Sequence, residues 1–82
     1  MVGELQRSVG KNIRRIRLSR GISQEALGAV VGLHRTYIGS VERGERNITL
    51  QTLEGMAELL GVAPMELLDD DTSARTDATP SA

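Results

Sequence analysis

Arg35, Thr36 and Ser40 are spaced so that on a helix they share one side, and each carries a group suited to the edge of a base pair. A guanidinium is a rigid fork of donors that meets guanine O6 and N7 together, a pairing that discriminates between bases by ~1–3 kcal/mol. Thr36 adds a hydroxyl and a methyl, suited to a base edge or to the thymine methyl, and Ser40 lies one turn deeper. His34, at the expected start of the helix, can reach a base or a phosphate. Tyr37 is the single aromatic residue of the chain. Its ring either packs half-buried beside the turn with the hydroxyl in water, or sends the hydroxyl to a phosphate or into the adjoining groove. Arg46 and Asn47 follow, placed to lie along a sugar-phosphate backbone, where contacts set register and carry little sequence information. Arg43, at the helix end, can face DNA, solvent or Glu45.

Such residues need a rigid mount, and Ser23 to Arg43 supplies one. The pattern predicts a helix over Ser23 to Val31, a bend at Gly32-Leu33-His34, and a second helix over Arg35 to Arg43. Leu27, Val31, Leu33, Ile38 and Val41 form an apolar seam between the two, and Gly28 falls where they cross. Ser23 suits an N-cap, and Gly32 suits the left-handed residue that ends the first helix. This is the layout of a helix-turn-helix that offers its second helix to a DNA groove.

Ser23-Gln24-Glu25-Ala26-Leu27, Gly32, His34-Arg35-Thr36-Tyr37-Ile38 and Val41-Glu42-Arg43-Gly44 together resemble the phage repressor and Cro-type (XRE) family. Arg35-Thr36-Tyr37-Ile38 and Glu42 to Thr49 are most similar to the controller proteins of restriction-modification systems. The resemblance covers about Lys11 to Leu68. It implies base contacts from Arg35, Thr36 and Ser40, with His34 and Tyr37 beside them, and a phosphate contact from Gln24, to which the positions of Arg46, Asn47 and Arg43 add further candidate phosphate contacts. Without the resemblance, Gln24 is a solvent-exposed polar residue in a first turn. The resemblance also implies an ion pair between Arg17 and Glu42 that holds two helices together and does not touch DNA. It implies a homodimer on a palindromic operator, with half-sites ~34 Å apart. Regulation of its own gene and of a neighbouring endonuclease gene, by position relative to RNA polymerase, completes the expectation.

The remaining segments read as support. Leu5, Val9, Ile13 and Ile16 make one stripe of a first helix from Glu4 or Val9 to Ser19, ended by Gly21. Gly10 costs that helix ~1 kcal/mol relative to alanine, so fraying before Lys11 is expected. Thr49 can cap a helix over Leu50 to Leu60, with Leu50, Leu53, Ala57 and Leu60 inward and Gly61 as its stop. Pro64 opens a short fifth helix through Leu68. Leu59, Val62, Met65, Leu67 and Leu68 form the expected dimer surface, some of them shared with the core. Residues 69–82 hold no Leu, Ile, Val, Met or aromatic side chain, so a disordered acidic tail is expected after a domain over 1–68. The fold class is all-α, a compact five-helix repressor-like domain.

Composition sets the limits. A chain of 82 residues makes one small domain, and without cysteine it has neither disulfides nor thiolate metal sites. One histidine excludes a multi-histidine metal cluster, and no phosphate loop is present, so neither a cofactor nor enzyme activity is expected. The longest uncharged apolar run, Ala26 to Leu33, is far short of the ~20 residues of a membrane span. Met1 to Gly10 lacks the plan of a signal peptide, so a cytoplasmic protein is expected. Net charge is −1, but it is divided unevenly: nine Arg and Lys against four acids up to Ile48, and one against seven from Thr49 on. A polyanion responds to the field within about a Debye length, ~8 Å at physiological salt, so the basic half can meet DNA while the acidic half faces away. The competing function is a protein-interaction module, an antitoxin or adaptor on the same fold. Only the acidic tail could hold such a partner, and it offers no apolar anchor.

Overall fold

Five helices follow one another in the computed structural model, which describes residues 3–69: α1 (Glu4–Ser19), α2 (Gln24–Val31), α3 (Arg35–Glu42), α4 (Leu50–Leu60) and α5 (Pro64–Leu68). No strand occurs among the described residues. The expected tail, apart from Asp69, lies outside them.

Local chemistry sets most of the boundaries. The Ser23 hydroxyl accepts the Ala26 N–H at 2.9 Å, and the Thr49 hydroxyl accepts the Thr52 N–H at 3.0 Å. Gly32 closes α2 at φ 74°, where a side chain would be strained. The second helix of the pair ends at Glu42, with Arg43 as its cap, one residue earlier than the sequence pattern predicts.

Ile13, Leu27, Ile38, Met56, Leu60 and Leu67 are wholly buried, so all five helices contribute to one core. Gly28 lets α2 meet the turn, since a Cβ there would overlap the Leu33 carbonyl oxygen. Gly10 corrects the expectation of fraying. A Cβ at this position would stand 2.7 Å from the Glu42 carbonyl oxygen and nearer still to that of Val41. The glycine is the point where α1 crosses the end of α3, and α1 is continuous through it.

Three apolar side chains depart from their expected places. Leu5 and Leu50 begin their helices beyond the reach of neighbours and are 57% and 75% exposed. With Ile48 and Leu68 they edge an apolar hollow of about 180 Å³ between α1 and α4. Leu67, expected on the dimer surface, is wholly buried, because α5 turns it against α1 and α4. Leu59, Val62 and Leu68 pack half-buried on the core, and Met65 is 77% exposed.

Asn12 ties α5 to α1. From a buried position its side-chain amide donates to the carbonyls of Leu67 at 3.0 Å and Asp69 at 2.7 Å. Helix ends leave their last carbonyls without partners, and this one amide supplies two.

Candidate nucleic-acid interface

The mount of α3 is electrostatic as well as apolar. Arg17 of α1 donates to both carboxylate oxygens of Glu42, through Nε at 2.6 Å and Nη2 at 3.1 Å. Its remaining Nη1 donates to the Ile22 carbonyl at 2.8 Å, just before α2. Both side chains are more than nine-tenths buried. The pair therefore connects α1, α3 and the entry to α2, and neither member faces outward. The guanidinium thus places a donor from each of its three nitrogens, two of them as a fork on one carboxylate, which offsets part of the desolvation cost of a buried pair.

Gln24 joins the same group. Its amide nitrogen donates to Glu42 Oε1 at 3.1 Å, which fixes the side chain across α3. An amide carries two N–H donors, so one remains for an outside acceptor. Gly39 lies beneath: a Cβ there would stand 3.5 Å from the Gln24 amide nitrogen and 3.4 Å from an Arg43 guanidinium nitrogen. Two side chains thus fold over this position at ordinary contact distance.

At the start of α3 the expected contacts come to the surface. Arg35 and Thr36 are exposed, and His34 caps the helix, its Nδ1 accepting the Thr36 N–H at 3.0 Å. That bond leaves Nε2 as the ring nitrogen available to DNA. Ser40 departs from expectation. It is 8% exposed, and its hydroxyl donates to the Tyr37 carbonyl at 2.7 Å, so its oxygen serves its own helix. Steps of four instead place Gly39 and Arg43 in line with Arg35.

The loop after α3 is fastened at Asn47, through its carbonyl and its side chain. Tyr37 is half-buried, and its hydroxyl donates to the Asn47 carbonyl at 2.8 Å, an arrangement that neither sequence reading foresees. The Arg46 guanidinium lies over the Tyr37 ring, 5.7 Å from its centre, and the Gln6 amide of α1 donates to the Asn47 side-chain oxygen. Arg46 and Asn47 are both exposed. Arg43 pairs with Glu45 at 3.1 Å in an exposed position, where such a pair contributes at most about 1 kcal/mol and yields readily to a phosphate.

Arg35, Thr36 and His34 therefore share one edge, with Gln24 and Arg43 on one flank and Arg46 and Asn47 on the other. Sequence reasoning missed Gln6 and Asn12, which act through long-range hydrogen bonds that leave no periodic signal. It also took Gly10 as a weakness, although an unneeded glycine within a strongly patterned helix marks a close approach.

A helix-turn-helix family model matches residues 13–67. The control protein C.BamHI of Bacillus amyloliquefaciens is 44% identical over 73 residues, covering 88% of this chain and 90% of its own. C.SmaI of Serratia marcescens is 46% identical over 65 residues, covering 79% and 77%. Among solved structures, the restriction-modification controller protein C.AhdI of Aeromonas hydrophila superposes with a TM-score of 0.71 at 40% identity, covering 76% of this chain and 94% of that one. No described helix is long and apolar enough to cross a membrane. With a helix-turn-helix matched over most of the chain and controller proteins similar to it nearly end to end, the chain belongs to the XRE-type helix-turn-helix family of DNA-binding transcription regulators.

Proposed function

We propose that this protein is a cytoplasmic homodimer that reads a palindromic operator with α3 and controls its own gene together with a restriction-modification system. The observation that carries the reading is the exposed start of α3, with Arg35 and Thr36, on a helix whose far end is locked by Arg17, Glu42 and Gln24. A fixed fork of donors at a helix start suits guanine in the major groove, and Thr36 adds a contact to the neighbouring base. Gln24 on one side, Arg46 and Asn47 on the other, and Arg43 once released from Glu45 supply phosphate contacts that set the register. His34 Nε2 and the edge of the Tyr37 ring stand next to this surface.

One domain presents too few base contacts to single out an operator, so two copies acting together fit the task. Leu59, Val62, Met65 and Leu68 remain as the joining surface once Leu67 is assigned to the core. The similarity to restriction-modification controllers supports that class of target. The sign of regulation follows from where the operator lies relative to RNA polymerase.

Selection of bound duplexes from a random pool tests the reading. Recovery of an inverted repeat, bound by two copies and lost with Arg35→Ala, is the expected result. A folded protein that enriches no duplex at low salt would overturn it, as would co-purification with a stoichiometric protein partner and no DNA retention.

A further inference from the structure

Where α1 crosses the end of α3 the surface forms a concave cleft, lined by Arg7, Lys11 and Arg14 of α1, Gln24 of α2, and Gly39, Glu42 and Arg43 of α3. Steps of four and three put Arg7, Lys11 and Arg14 on one side of α1, opposite its core stripe. All three are exposed, and none pairs with a carboxylate among the described residues. Glu42, the one acid in the cleft lining, already accepts from Arg17 and Gln24 and is buried. The fourth cation, Arg43, shares only an exposed pair with Glu45.

A Cβ on Gly44 would stand 2.6 Å from the Arg7 Cγ, so the Arg7 stem packs over the end of α3. Lys11 and Arg14 follow it along the same side of α1. Like charges gathered one turn apart repel one another, and an anion between them relieves the repulsion. The cleft is also continuous with the proposed DNA surface, because Gln24, Gly39 and Arg43 belong to both.

We propose that this cleft is a second footing for the sugar-phosphate backbone of the duplex that α3 reads, with Lys11 and Arg14 contacting phosphates outside the span reached by Gln24 and the loop after α3. The inference rests on the DNA-binding reading above. Of the polyanions that suit four cations in a row, the duplex already engaged by Gln24 and Arg43 is the one this continuity selects.

The test is the salt dependence of binding, measured on a selected operator duplex and on a duplex of scrambled sequence. Each phosphate contact contributes ~0.9 to the slope of log K against log salt. Each substitution is present twice in a bound dimer, so Lys11→Gln and Arg14→Gln should each lower the slope by ~2 and the double variant by ~4, with the preference for the operator unchanged. Between about 50 and 200 mM salt, the unaltered protein should then lose ~100-fold more affinity than the double variant. Arg20→Gln removes the same charge at the far end of α1 and should leave the slope as it was. An unchanged slope in the double variant, on a protein that still binds its operator, overturns the footing alone. A fall of equal size in Arg20→Gln does so as well, since it reports a diffuse field. Failure of the unaltered protein to bind either duplex overturns the DNA reading and the footing together.

Discussion

Arg17 and Glu42, one from each of two crossing helices, meet through two hydrogen bonds of 2.6 and 3.1 Å in a site closed to solvent. The strength of such a pair shows mainly when it is broken, because the surviving charge is left buried and alone. Glu42→Ala is therefore expected to cost ~3–5 kcal/mol, whereas Arg35→Ala, on an exposed residue without a side-chain partner among the described residues, should lie within about 0.5 kcal/mol of the parent. Thermal unfolding should show the first variant melting more than ~10 °C below the second. Equal melting temperatures would remove the pair from its structural role.

Gly10→Ala sets helix propensity against packing. Propensity alone would stabilise α1 by ~1 kcal/mol. The new Cβ would instead press on the carbonyl oxygens of Val41 and Glu42, main-chain atoms that cannot step aside without moving α3. Overpacking of this kind costs ~1–3 kcal/mol, so a net loss of stability is expected in chemical denaturation. A more stable variant would show that α1 and α3 do not approach as described.

His34 can be separated into a cap and a contact. His34→Ala should lose ~1 kcal/mol of stability with the cap, and His34→Asn should retain most of it, because an amide oxygen accepts the same N–H. If both variants weaken operator binding equally, the imidazole touches DNA. If only the alanine variant does, its part is to begin α3.

Tyr37→Phe keeps the ring beneath Arg46 and deletes only the bond to the Asn47 carbonyl. A stability loss of ~0.5–1.5 kcal/mol is expected. Amide exchange should quicken at residues 45–48 and stay unchanged in α4. Uniform quickening across the domain would contradict the local role.

Arg46→Ala, present twice in a bound dimer, should lower the salt slope of operator binding by ~2 while leaving the order of preference among operator variants intact. A changed preference would place Arg46 in a groove.

Much of this was legible in the residues because it is periodic or local. Apolar steps of three and four, a hydroxyl at Ser23 and Thr49, and glycines at Gly32 and Gly61 act within a turn or two of themselves, so sequence spacing records them. The placing of α1, α4 and α5 followed from these marks. What escaped depends on residues far apart in the chain: Asn12 on Leu67, Gln6 on Asn47, Gly10 on the end of α3. Burial at helix ends escaped too, since Leu5 and Leu50 satisfy the stripe yet stand beyond the neighbours that would cover them. Leu67 shows the reverse, a residue on a five-residue helix too short for periodicity to tell which way it points. Ser40 has the spacing of a base contact, but its burial depends on packing around α3 that spacing does not report.

The loop between α3 and α4 is anchored within the protein itself, through the Asn47 carbonyl by Tyr37 and through the Asn47 side chain by Gln6. Recognition then begins from a surface whose shape is already set, so few rotamers and little main-chain freedom are given up on docking. The rate of complex formation should accordingly be governed by encounter and orientation in the field of the basic side, and lifetime by the contacts made afterwards.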